Sequence, residues 1–180
     1  MSRVGKEPIV FDSSVQITLA GSTITVKGPK GQLERELHPA IEVAIDGNTL
    51  TVARKNEERE SRAMHGTFRA LINNMIVGVS KGFVKILEVK GTGYKFDLKG
   101  RKIGFALGFS HPVEMEIPKE ISAEVNKTNT ELTLTSYDNE ELGNFAAIIK
   151  RLRPVEPYKG KGISYKGETI RRKAGKAAGK

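Results

Sequence analysis

The chain has 180 residues, 38% of them hydrophobic and 28% charged, with no cysteine and no tryptophan. That composition suits a soluble globular protein of one or two domains and excludes disulfides, thiolate nucleophiles and cysteine-bound metal. The net charge of +9 lies wholly in Lys150–Lys180, where eleven Lys and Arg face two Glu (11 − 2 = 9), while residues 1–149 carry nineteen charges of each sign.

The N-terminal residues lack the apolar core of a signal peptide, and no apolar run approaches the roughly 18 residues that span a bilayer. A cytoplasmic protein is expected. A neutral body with a cationic end is suited to a polyanion. Nucleic acid ranks ahead of an anionic membrane, because the basic segment has too few apolar residues to insert.

Taken in chain order, Val15–Leu19 and Thr23–Val26 alternate around Ala20-Gly21-Ser22, the pattern of a β-hairpin. Ile41–Ile45 and Thr49–Val52 flank Asp46-Gly47, a tight-turn dipeptide. A helix follows, capped by Asn56, with Met64, Phe68, Leu71, Ile72 and Met75 on its buried side and with Gly78 and Gly82 marking its exit. After the apolar run Val84–Val89, Tyr94–Leu98 and Ile103–Leu107 flank Lys99-Gly100-Arg101, and Glu131–Thr135 pairs with a strand at Glu124-Val125. Asp138 and Glu141 then fit the N-cap and third position of a second helix. Its buried face is Leu142, Phe145, Ile149 and Leu152, and Pro154 ends it.

The body reads as one unit used twice. Gly28–Ile41 lies over Gly108–Ile121 at an offset of 80, which brings together Glu34 with Glu114, Glu36 with Glu116, Leu37 with Ile117, and Ile41 with Ile121. After two inserted residues, Leu50-Thr51-Val52 falls on Leu132-Thr133-Leu134 and Arg69 on Arg151. The fold class is therefore α+β, with two similar small domains (1–82 and 83–153), each an antiparallel sheet packed with one main helix. A basic tail of residues 154–180 completes the chain, and its end from Ile170 to Lys180 is expected to be disordered without a partner.

Catalysis has little to stand on. His38, His65 and His111 lack the spacing of a metal site. The adjacent Ser110 and His111 point apart in an extended segment and cannot form a nucleophile–base pair. The Glu34/Glu36 and Glu114/Glu116 pairs belong on solvated sheet edges. Gly91-Thr92-Gly93 precedes a strand pattern, not the helix a dinucleotide would need, and no GxxxxGK[ST] phosphate loop occurs. No enzymatic activity, cofactor, metal or small-molecule substrate is expected.

The basic segment differs from a bland charged tail. Tyr158 and Tyr165 bracket Lys159, Lys161 and Ile163, with glycines at 160, 162 and 167. Glycine lets a backbone N–H approach phosphate, Lys and Arg neutralise it, and Tyr stacks on bases. The nucleic-acid-binding candidates are Arg151, Arg153, Tyr158, Lys159, Gly160, Lys161, Gly162, Tyr165, Lys166, Arg171, Arg172 and Lys173. A secondary set comprises Arg62, His65 and Arg69, placed on the polar face of the first helix, with Ser110 and His111.

Several segments carry a family likeness: Met1-Ser2-Arg3-Val4-Gly5-Lys6, Val26-Lys27-Gly28-Pro29-Lys30-Gly31, His65-Gly66-Thr67 with Asn73-Asn74-Met75, Leu107–Val113, and Glu156-Pro157-Tyr158-Lys159-Gly160-Lys161-Gly162-Ile163. From end to end the chain resembles the bacterial large-subunit ribosomal protein six family, and the last segment matches its signature. Val155 departs from the Pro or Ser usual before the signature Glu. The resemblance implies two duplicated α+β domains and direct binding of large-subunit ribosomal RNA near the factor-binding, sarcin–ricin and stalk-base regions. It also implies neighbouring large-subunit ribosomal proteins as partners and a part in subunit assembly. A general nucleic-acid chaperone without a preferred RNA is the alternative.

Overall fold

The computed structural model describes residues 3–175. It contains two compact units, Met1–Phe83 with Tyr137–Asn139, and Val84–Ser136 with Glu140–Lys180.

The first unit begins with a short helix, α1 (Arg3–Lys6), and a two-residue strand, β1 (Ile9–Val10). Strands β2 (Gln16–Ala20), β3 (Thr23–Gly28) and β4 (Gly31–Glu36) form one antiparallel sheet. Strands β5 (Ile41–Asp46) and β6 (Thr49–Arg54) form a second with β1, in the order β1-β6-β5. Alternation sends Ile24 and Val26 of β3, and Leu50 and Val52 of β6, into the core, where they meet Ile72, Met75 and Val79 of α2 (Arg59–Ser80).

The second unit repeats this plan. Strands β8 (Lys95–Lys99), β9 (Lys102–Ala106) and β10 (Val113–Glu116) correspond to β2–β4. Strands β11 (Ile121–Val125), β12 (Glu131–Ser136) and β7 (Phe83–Lys90) correspond to β5, β6 and β1, and α3 (Asn139–Leu152) to α2. The internal alignment survives at the level of burial. Leu37 and Ile117 are 7% and 8% exposed, Ile41 and Ile121 are 4% and 3%, and the pair Leu50 and Val52 matches buried Leu132 and Leu134. The carboxylates of Glu34, Glu36, Glu114 and Glu116 point to solvent from edge strands, as their alternation requires.

One strand breaks the symmetry. Gly162–Tyr165 forms β13, which pairs antiparallel with β7 and extends that sheet to β11-β12-β7-β13. The basic segment therefore contributes to the second unit's sheet, in place of the separate tail read from the sequence. The reason is Ile163. Its side chain is wholly buried, in a unit whose core also holds Leu87, Leu132, Leu134 and Ile149.

Three local expectations change. Helix α2 starts at Arg59 with Glu58 in the cap position, two residues later than a cap at Asn56 would give. Asn56 Oδ1 instead accepts hydrogen bonds from Ser61 Oγ and from Glu58 N (3.4 Å), holding the approach to the helix as an Asx turn. Gly78 lies buried within α2, so that Gly82 alone marks its exit. Of the disorder expected from Ile170 onward, residues 176–180 lie outside the described residues. The part described runs irregularly, and Lys173 N donates to Pro157 O at 2.9 Å.

Replacing Ile163 by Ala is expected to lower unfolding free energy by about 2–5 kcal/mol, as for other fully buried aliphatic side chains. Urea denaturation followed by circular dichroism checks this, and an unchanged midpoint would return the segment to the status of an appendage.

Candidate nucleic-acid interface

Between the end of α3 and β13 the backbone closes a tight loop. Glu156 N donates to Lys161 O (2.8 Å), and Gly160 N donates to Glu156 O (2.9 Å). The Glu156 carboxylate accepts from Lys159 N at 2.9 Å. Ile163 N donates to Arg153 O (2.8 Å), fastening the strand to the helix exit. Glycine is required at 162, where φ is 138° and a Cβ would lie 2.6 Å from Pro154 O and 2.8 Å from Val155 Cα. With its backbone engaged in this way, the loop turns Tyr158 (53% exposed), Lys159 and Lys161 outward. The Arg172 guanidinium lies beside Gly160, 3.1 Å from where a Cβ would stand.

The remaining cations divide by their partners. Lys150 Nζ donates to both oxygens of Glu168 at 2.7 Å, and Glu168 also accepts from Tyr165 N at 3.0 Å. Lys150 and Lys85 sit 4.8 and 5.8 Å from the Tyr165 ring centroid. Lys166 pairs with Glu131 at 3.1 Å. Tyr165 and Lys166 are thus engaged within the protein, and they hold β13 rather than display it. Arg151, in the last turn of α3, is exposed, as are Arg153, Arg171, Arg172 and Lys173. Arg153 lies over the rings of Tyr94 and Phe109, two residues that sequence reasoning left out of the candidate set.

The secondary set does not form one face. Arg62 is exposed, but His65 is only 4% exposed and donates from Nε2 to Val52 O at 2.8 Å. Its ring lies under α1, so close to Gly5 that a Cβ there would come within 2.5 Å of Nδ1. His65 is therefore buried and does not belong to the polar face of α2; the helix that covers it has four residues, too few to carry a helical period in the sequence. Arg69 donates from Nε to Glu7 O (3.1 Å) and pairs with the Glu7 carboxylate (3.5 Å), so it tethers the N-terminal segment. Ser110 and His111 are exposed in the loop after β9, with the His111 ring stacked on Phe109 at 5.9 Å. Among the described residues no acidic, His or Cys cluster is arranged for a metal, and no helix is long and apolar enough to cross a membrane.

These features define a duplicated α+β protein whose second unit displays a braced, cationic loop. The family described as Ribosomal protein L6 matches residues 11–82 and again residues 90–166, once in each half of the repeat. Proteins named large ribosomal subunit protein uL6 are similar throughout. The one from Carboxydothermus hydrogenoformans is 50% identical over 180 residues, covering 100% of this chain and 98% of the relative. Those from Listeria monocytogenes and Desulfatibacillum aliphaticivorans are 50% and 52% identical over 176 residues, covering 98% of each chain. The chain belongs to the ribosomal protein L6 family, whose members are structural proteins and not enzymes.

The hydrogen bonds from Lys150 and then from Tyr165 N hold the Glu168 carboxyl below its ordinary value of 4.5. A depressed folded-state value means that the stabilisation is complete above about pH 4.5 and is lost as pH falls through the lower folded value. Thermal unfolding from pH 6 to pH 3 should therefore decline more steeply for the native protein than for Glu168→Gln. The difference should be small, because the group is partly exposed and screened by solvent.

Proposed function

We propose that this protein is a structural constituent of the large ribosomal subunit. In this reading it binds large-subunit ribosomal RNA directly through the second unit, close to the factor-binding, sarcin–ricin and stalk-base region. It meets neighbouring ribosomal proteins there and supports assembly of the subunit in the cytoplasm. The observation that carries the RNA reading is the Glu156–Lys161 loop, whose backbone is tied down while its Lys and Tyr side chains face solvent. Such a loop offers charge in a fixed geometry, suited to one RNA shape. It is a poor fit for a chaperone that must accommodate any strand. The likeness to proteins named for the large ribosomal subunit supports the same assignment.

Binding acts by release of counterions from phosphates, so affinity falls with salt. Five to eight engaged cations give a log–log slope of roughly −4 to −7, and neutralising Arg171, Arg172 and Lys173 together should flatten it by about 2 to 3. Filter binding to a large-subunit ribosomal RNA transcript at several salt concentrations measures both quantities. An unchanged slope removes those three residues from the interface. Equal competition by bulk transfer RNA favours the unselective chaperone instead.

A further inference from the structure

Two motifs remain without a role: Gly91-Thr92-Gly93, and the loop Gly108-Phe109-Ser110-His111. Both converge on Arg153. Gly91 has φ 158° and is pressed so closely by Tyr94 that a Cβ would lie 2.5 Å from the ring. Gly108 faces the other edge of the same ring, where a Cβ would lie 3.3 Å from Tyr94 Cε1. The two glycines thus make a seat for Tyr94. Across from it, Phe109 is backed by the stacked His111 ring, at 5.9 Å and an interplanar angle of 25°. The Arg153 guanidinium lies over both aromatic rings, 6.0 Å from Tyr94 and 5.7 Å from Phe109.

Arg153 is exposed, and among the described residues no carboxylate pairs with it. Glu156 shares its cleft, but one of its oxygens is occupied by Lys159 N at 2.9 Å. That cleft, about 390 Å³, is lined by Tyr94, Arg153, Pro154, Glu156 and Lys161. A guanidinium held against aromatic faces keeps its edge N–H donors free, in the planar fork that matches two oxygens of a phosphate. Lys161, in the lining of the same cleft, supplies a second positive charge.

We infer that Tyr94, Phe109 and Arg153 form an aromatic-braced arginine clamp that grips backbone phosphodiesters of RNA, with Lys161 as its second cation. This rests on the RNA reading above and makes it specific: the clamp is a fixed phosphate site, separate from the diffuse charge of Arg171–Lys173.

The test uses the full chain and a large-subunit ribosomal RNA transcript. Arg153→Lys keeps the charge and removes the fork, so affinity should fall ~10-fold with the salt slope and thermal midpoint unchanged. Phe109→Leu should weaken binding, Phe109→Tyr should not, and adding Phe109→Leu to Arg153→Lys should cause no further loss. If the native protein binds and Arg153→Lys binds equally well, the clamp is refuted while the RNA reading stands. If Phe109→Leu still weakens binding in the Arg153→Lys background, the ring touches RNA itself and bracing is refuted. If the native protein does not bind the transcript, the RNA reading fails and the clamp with it.

Discussion

Four residue pairs, from Gly162 opposite Lys90 to Tyr165 opposite Leu87, join the basic end of the chain to the second unit's sheet. The displayed surface depends on this pairing. The loop before it leaves α3 at one end and enters β13 at the other, so both of its ends are fixed by packed elements. Ordering such a loop costs conformational entropy at folding, where burial of Ile163 offsets it, and not again when a partner arrives. Duplication alone would not have produced this. In the first unit the corresponding sheet stops at β1, and among the described residues the loop-bearing strand has no counterpart.

The acidic residues near the basic segment have a consistent place. Glu131 and Glu168 pair with Lys166 and Lys150, beside β13, and Glu156 accepts the backbone N–H of Lys159 inside the loop. Each carboxylate secures the strand or loop without neutralising Lys159, Lys161 or Arg153. A net charge counted from sequence treats all cations alike; the structure separates those that build the surface from those that present it. Tyr165 falls in the first group because its ring is already faced by two lysines.

What could be read from the sequence followed from periodicity. The hairpins and the buried stripe of α3 repeat on the length scales of strands and helices, the internal duplication repeats at offsets of 80 and 82 residues, and its aligned apolar positions are buried in both units. The misreadings fall where no period exists. Helix α1 is a single turn, so nothing signalled that His65 would be covered. Strand β13 has one aliphatic residue among glycine, serine and tyrosine, and its partner β7 lies more than seventy positions earlier in the chain, beyond the reach of any local pattern. The grouping of Arg153 with Tyr94 and Phe109 is likewise a product of tertiary folding. Its only trace in sequence was a set of glycines that first suggested a nucleotide loop.

The late position of β13 also bears on how the protein is made. An N-terminal unit whose strands and helix are nearly contiguous in sequence can fold as soon as it has been synthesised. The second cannot complete its sheet until Ile163, more than seventy positions after its partner strand β7, has been synthesised. Until then the free side of β7 is an unpaired strand edge, open to pairing with another chain. The step that covers this edge is also the one that shapes the Glu156–Lys161 loop. A chain that stops short of β13 therefore lacks the pairing that orders the loop.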